Sequence, residues 1–205
     1  MQVMFVHGMG RSPISGRLLM WQLKKAGYLP SSFAYSAALE NFDHIRGRLI
    51  KRLRVLAEKD DYVVIGHSLG GVLLRSAINA LPSDIRQPRH LFLLGSPLVS
   101  SRVARTMKDQ VLFRVLTGDC GQLLASAQRM SEIDLTSCPI TVIVGTKGLA
   151  WPPTLFAGEI NDGVVALSEV STTAISDQIS VPVIHTWLPS SFQVIDIILA
   201  KLATL

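Results

Sequence analysis

Along this chain, short runs of consecutive apolar residues alternate with longer stretches in which apolar positions recur every three or four residues. The first pattern suits strands buried on both faces and the second suits helices packed on them. Their alternation predicts a mostly parallel sheet with crossover helices. Val3 to Val6 reads as the first strand, Ser15 to Ala26 as a helix stopped by Gly27, and Leu29 to Tyr35 as an extended segment. Phe42, Ile45, Leu49, Leu53 and Leu56 mark a helical stripe, and Tyr62 to Ile65 a short strand. A helix from Leu69 to about Leu81 is closed by Pro82, and His90 to Leu94 is the next strand. Ser100 to Ser131 reads as helices, Ile140 to Val144 and Ser180 to Ile184 as the last strands, and Ser191 to Leu202 as a terminal helix. No repeat, low-complexity segment or linker divides the sequence, so one domain over residues 1–205 is expected. Residues 98–138 and 146–161 are the longest stretches without a strong strand, and either suits a lid or a pocket wall.

Composition narrows the class. Hydrophobic residues make up 48% of the 205 and charged ones 17%, which favours a well-buried globular fold over disorder. No apolar run reaches the roughly 18 residues of a membrane-spanning helix. With Met1 as the start and no signal segment, a soluble cytoplasmic protein is expected. Cys120 and Cys138 lie in no CxxC pair and beside no metal-spaced histidines, so they read as buried thiols; no metal is expected. The net charge of +5 concentrates before residue 110, with Arg46, Arg48, Lys51, Arg52 and Arg54 in one helix. Without interleaved aromatics this face does not suit nucleic acid; weak association with a membrane surface is the alternative to a solvated face.

The chemistry is carried by small motifs at strand ends. Gly66-His67-Ser68-Leu69-Gly70 fits G-x-S-x-G between a predicted strand and a predicted helix, the context in which a sharp turn exposes a nucleophilic serine. The backbone N–H of Leu69 is then one oxyanion donor. His7-Gly8-Met9-Gly10 follows the first strand and offers Met9 N–H as the second, with His7 ordering the loop. The base belongs after the last strand, where His185 stands; His44, His67 and His90 are misplaced for that role. The acid belongs between serine and histidine. Asp162 in Asn161-Asp162-Gly163 is favoured, with Asp177 the main rival and Glu159 a weaker one.

These motifs, with Gly95-Ser96-Pro97 and Val183-Ile184-His185-Thr186, make the whole chain resemble small bacterial α/β-hydrolases of the lipase and esterase superfamily. The likeness is to GPI inositol-deacylase-like and triacylglycerol-lipase-like members in particular. The resemblance implies an α/β-hydrolase fold with about six mostly parallel strands, helices on both faces and a minimal cap or none. It also implies Ser68 as nucleophile, Asp162 as acid and His185 as base. The chain has no room for the substantial cap of larger lipases or for the calcium site some of them carry. The expected activity is hydrolysis of a short- to medium-chain carboxylic or lipid ester through an acyl-enzyme, with no cofactor. A thioesterase, amidase or acyltransferase is the alternative on the same machinery, and a silent binding scaffold the alternative in class. Leu98, Trp151, Val164 and Trp187 are the expected substrate contacts, and the sequence leaves the oligomeric state open.

Overall fold

The computed structural model describes residues 1–148 and 153–205. Its strands are β1 (Gln2–Val6), β2 (Leu29–Phe33), β3 (Tyr62–His67), β4 (His90–Leu94), β5 (Ile140–Gly145) and β6 (Gln178–Val181). They form one sheet in the order β2-β1-β3-β4-β5-β6, parallel at every pairing. The helices are α1 (Arg17–Lys25), α2 (Phe42–Lys59), α3 (Leu69–Asn79), α4 (Arg102–Met107), α5 (Val111–Ala125), α6 (Ala127–Ser131), α7 (Pro153–Phe156), α8 (Leu167–Val170) and α9 (Phe192–Leu202).

The consecutive apolar residues of the central strands feed two cores. Val3, Phe5, Val63, Ile65, Phe92 and Leu94 pack with Leu19 and Leu23 of α1 and Val194, Ile195 and Ile198 of α9. The alternate positions Met4, Val6, Val64, Leu91 and Leu93 pack on the opposite face, against α2 and α3. In α2 the buried residues are the predicted stripe, Phe42, Ile45, Leu49, Leu53 and Leu56. Each fully buried leucine or isoleucine there stabilises the fold by about 1.5–3 kcal/mol. Asn41 starts this helix, its Oδ1 accepting from His44 N at 2.8 Å.

Several boundaries differ from the pattern-based expectation. The last strand runs Gln178–Val181 rather than 180–184, because Pro182 has no N–H to continue the ladder. The predicted helix over 15–26 divides into a 3-10 turn at Pro13–Gly16 and α1. His185 stands at the head of another 3-10 turn, His185–Ser190, which leads into α9. Residues 100–131 resolve into α4, α5 and α6 between β4 and β5, and with them the cap remains minimal. Among the described residues no helix is long and apolar enough to cross a membrane.

The strand order reverses at β1, whose neighbours are β2 and β3. Loops leaving β1 and β3 therefore diverge to opposite faces and open a crevice at the carboxyl edge, the usual ligand position in parallel sheets. The His7-Gly8-Met9 segment leaves β1 there, and Ser68 leaves β3 there.

Candidate active site

Ser68 joins β3 to α3 with φ 52° and ψ −123°. A non-glycine residue held at positive φ stores about 1–3 kcal/mol of strain, so its surroundings must hold it. Ser68 N donates to Leu94 O at 3.0 Å, and Gly71 N donates to Ser68 O at 3.0 Å. Gly70 permits the close approach of the first helical turn to β1: a Cβ there would collide with the carbonyls of Val6 and His7. Leu69 N–H lies in the first turn of α3, where amides have no intrahelical acceptor.

The loop after β1 is set by its histidine. Tyr35 stacks on the His7 ring with centroids 4.3 Å apart, and its hydroxyl donates to His7 O at 2.8 Å. Tyr35 N approaches His7 Nε2 at 3.5 Å, which makes Nε2 the acceptor and Nδ1 the protonated nitrogen. Nδ1–H then donates to Gly8 O at 2.9 Å. Because the peptide is trans and planar, fixing Gly8 O aims Met9 N–H away from the His7 ring. Burial keeps this imidazole neutral by lowering its pKa, although the bond to Gly8 works the other way.

The loops after β5 and β6 bring Asp162 and His185 together. His185 Nδ1 donates to Asp162 Oδ2 at 2.7 Å, and both side chains are buried. The other carboxylate oxygen, Oδ1, accepts from Val164 N at 3.0 Å and Val165 N at 2.8 Å. The main chain repeats the link, since His185 N donates to Asp162 O at 2.9 Å. Gly95, at φ +53°, backs the pair so closely that a Cβ would lie 3.0 Å from both Asp162 Oδ2 and His185 Nδ1. Behind Ser68, His67 Nε2 donates to His185 O at 3.0 Å, and the two rings lie 4.8 Å apart. Burial and the neighbouring His185 hold His67 well below the usual imidazole pKa. Its Nδ1 has no partner among the described residues. His185 Nε2 is left free, and no hydrogen bond joins it to Ser68 among the described residues.

No family model matches this sequence, and a search of curated proteins finds no match. Solved structures do match. A putative hydrolase of the alpha/beta superfamily from Xanthomonas campestris pv. campestris is 15% identical, covers 100% of this chain and 99% of its own, and superposes with a TM-score of 0.67. The lipase BlEst2 of Bacillus licheniformis, in its propeptide form, is 16% identical over 97% of this chain and 50% of its own, with a TM-score of 0.71. The RedJ thioesterase of the prodiginine pathway of Streptomyces coelicolor is 19% identical over 100% of this chain and 89% of its own, with a TM-score of 0.61. The chain has the α/β-hydrolase fold.

In this α/β-hydrolase fold, Ser68 opens onto a narrow cavity of about 50 Å³. Met9, Pro97, Val103, Phe113, Leu124 and Val164 are among the residues lining it. Of the four substrate contacts expected from sequence, Val164 is in that wall. Leu98 is half-buried next to it without lining it, and its N donates to Glu169 O at 2.7 Å. Trp187 is exposed in a separate hollow with Lys147, Pro182 and Phe192. Trp151 lies outside the described residues.

Sequence reasoning missed Phe113 and Leu124, which it left within an undivided helical region; they lie on either side of a kink at Gly118 in α5, which a single helical period does not reveal. It also missed Glu169, which fastens the pocket wall. Glu169 Oε1 accepts from Arg102 N and Oε2 from Ala166 N, each at 2.7 Å. Burial raises the pKa of this carboxyl, and the two amides only partly oppose that.

Proposed function

We propose that this protein is a serine hydrolase that cleaves carboxylic esters with a short acyl group through an acyl-enzyme. The reading rests on one observation, the buried 2.7 Å pair of Asp162 and His185 at the sheet edge where Ser68 is held in a strained turn. The carboxylate fixes the imidazole with Nδ1 protonated, which leaves Nε2 as the base. Nε2 takes the Ser68 proton as Oγ attacks the ester carbonyl, and Met9 and Leu69 N–H groups receive the oxyanion. The protonated His185 then gives its proton to the leaving alcohol. Water, deprotonated by the same nitrogen, attacks the acyl-enzyme and releases the acid and Ser68.

The cavity supports the short acyl group. At about 50 Å³, walled by Phe113, Leu124 and Val164, it has room for a short apolar chain and not for a long one. A second reading, thioester cleavage on the same residues, is favoured by the RedJ thioesterase among the similar structures. Parallel assays with oxygen esters and thioesters of one acyl group separate the two readings.

The test is labelling with a fluorophosphonate probe alongside p-nitrophenyl butyrate hydrolysis. Wild type is expected to label and turn over. Ser68→Ala is expected to fold, lose the label and lose kcat by about 10⁴-fold or more. A Ser68→Ala protein that still turned over the ester would refute the assignment.

A further inference from the structure

One surface is left unexplained by ester chemistry. At the start of α5, Val111, Leu112, Val115 and Leu116 are 77%, 70%, 64% and 57% exposed. Their spacing places them on one side of the helix. The other side of this segment, which a kink at Gly118 (φ 51°) separates from the rest of α5, carries the buried Phe113, which lines the cavity beside Ser68. The fringe of this apolar face is basic: Arg105 lies in the last turn of α4, Lys108 in the turn between the helices, and Arg114 on α5 itself. All three are exposed and none has an ion-pair partner among the described residues. Asp109 is the acid in the same turn.

We infer that this face of α5 docks the protein on an anionic lipid surface, with the four aliphatic side chains inserted and Arg105, Lys108 and Arg114 against the headgroups. Stable attachment to a bilayer takes two signals, and this face supplies both. A second copy of the chain is a poorer occupant, because a two-fold contact through the patch would bring the basic fringe against itself. The basic face of α2 supplies only one signal. Lys51, Arg52 and Arg54 are not ion-paired among the described residues, but the apolar stripe of that helix is spent in the core. Docking through α5 would set the Ser68 cavity just above the acyl–headgroup boundary, one helix thickness away. The inference goes beyond the hydrolase reading and does not require it.

The experiment is sedimentation of the full chain carrying Ser68→Ala, which keeps catalysis out of the readout. Vesicles of phosphatidylglycerol with phosphatidylcholine are compared with phosphatidylcholine alone. Binding is expected on the anionic vesicles only. Leu112→Ser with Leu116→Ser should weaken it by about tenfold or more, and Lys108→Gln or Arg114→Gln by about fivefold each. Lys51→Gln with Arg52→Gln and Arg54→Gln should change it less than either single α5 charge variant. These positions are on the surface, and circular dichroism of each variant checks that the fold is kept. Equal and negligible binding to both vesicles overturns the inference. So does loss of binding through the α2 variant instead, or self-association that Leu112→Ser with Leu116→Ser abolishes. Hydrolysis of soluble p-nitrophenyl butyrate by Leu112→Ser in the wild-type background separates failure of docking from failure of the hydrolase reading.

Discussion

Two histidine–carboxylate chains lie at opposite edges of the same sheet. At the carboxyl edge Asp162 holds His185; at the amino edge Asp177 is reached from His90 through Thr141. His90 Nε2 donates to Thr141 Oγ1 at 2.7 Å, and that hydroxyl donates to Asp177 Oδ2 at 2.6 Å. Lys201 Nζ donates to the same Asp177 oxygen at 2.7 Å. The amino edge also has the larger hollow, about 500 Å³ against about 50 Å³ beside Ser68. Volume and the presence of a His–Asp chain therefore do not by themselves favour the carboxyl edge. The difference is in the second nitrogen of each imidazole. His185 keeps Nε2 free at the edge that carries the strained serine, whereas the second nitrogen of His90 is buried without a partner among the described residues. Asp177 is also held as an ion-paired carboxylate: burial alone would raise its pKa, but Lys201 and Thr141 more than offset that and hold it below the usual range. The proposed function uses the first chain for proton transfer, and the second ties β4, β5, β6 and α9 together.

Exchanging the two carboxylates for amides breaks or secures this contrast. Asp162→Asn is expected to lower kcat on p-nitrophenyl butyrate by about 10⁴-fold, because the amide no longer holds the imidazole in its working tautomer. Asp177→Asn is expected to leave kcat within a few-fold and to lower the melting temperature. The opposite outcome would move the acid to Asp177. A smaller effect sharpens the contrast between the cavities. Phe113→Ala should raise kcat/KM for octanoyl relative to butyryl ester by about fourfold for each methylene newly admitted. An unchanged chain-length profile would mean that the 50 Å³ space does not take the acyl group.

The smallest effect is one of pH. Burial, with the Lys201 ammonium adding to it, pushes His90 down to about 4 in the folded state, against an ordinary value of 6.5. Between those values the unfolded chain binds a proton that the folded chain refuses, so stability falls as pH drops from about 6.5 towards 4. The advantage of wild type over His90→Asn in urea unfolding should be full above that window and shrink within it. A difference independent of pH would show that His90 does not stay neutral in the fold.

Much of this was legible in the sequence because it is local. G-x-S-x-G after a run such as Val63-Val64-Ile65 specifies strand, turn and helix within a dozen residues. Asn161-Asp162-Gly163 is likewise self-contained: Asp162 accepts from amides two and three residues ahead, and Asn161 Oδ1 accepts from Gly163 N at 2.9 Å. What escaped depends on distant partners. Glu169 looks like any helix glutamate until Arg102, 67 positions away, supplies its amide. His67 reaches across 118 positions to His185. The end of β6 was missed by a simpler route, since Val183 and Ile184 continue an apolar run that Pro182 has already stopped.

The double link between Asp162 and His185, through side chains and through main chain, has one more consequence. Two separate loops are closed into a single cooperative unit, so neither opens without releasing the other. The amide of His185 donates across to Asp162 O, so its exchange with solvent hydrogen follows that opening, whereas the amides of Val164 and Val165 bond Asp162 within their own loop. One main-chain position thus records whether the pair is assembled in a protein to which no substrate has been added.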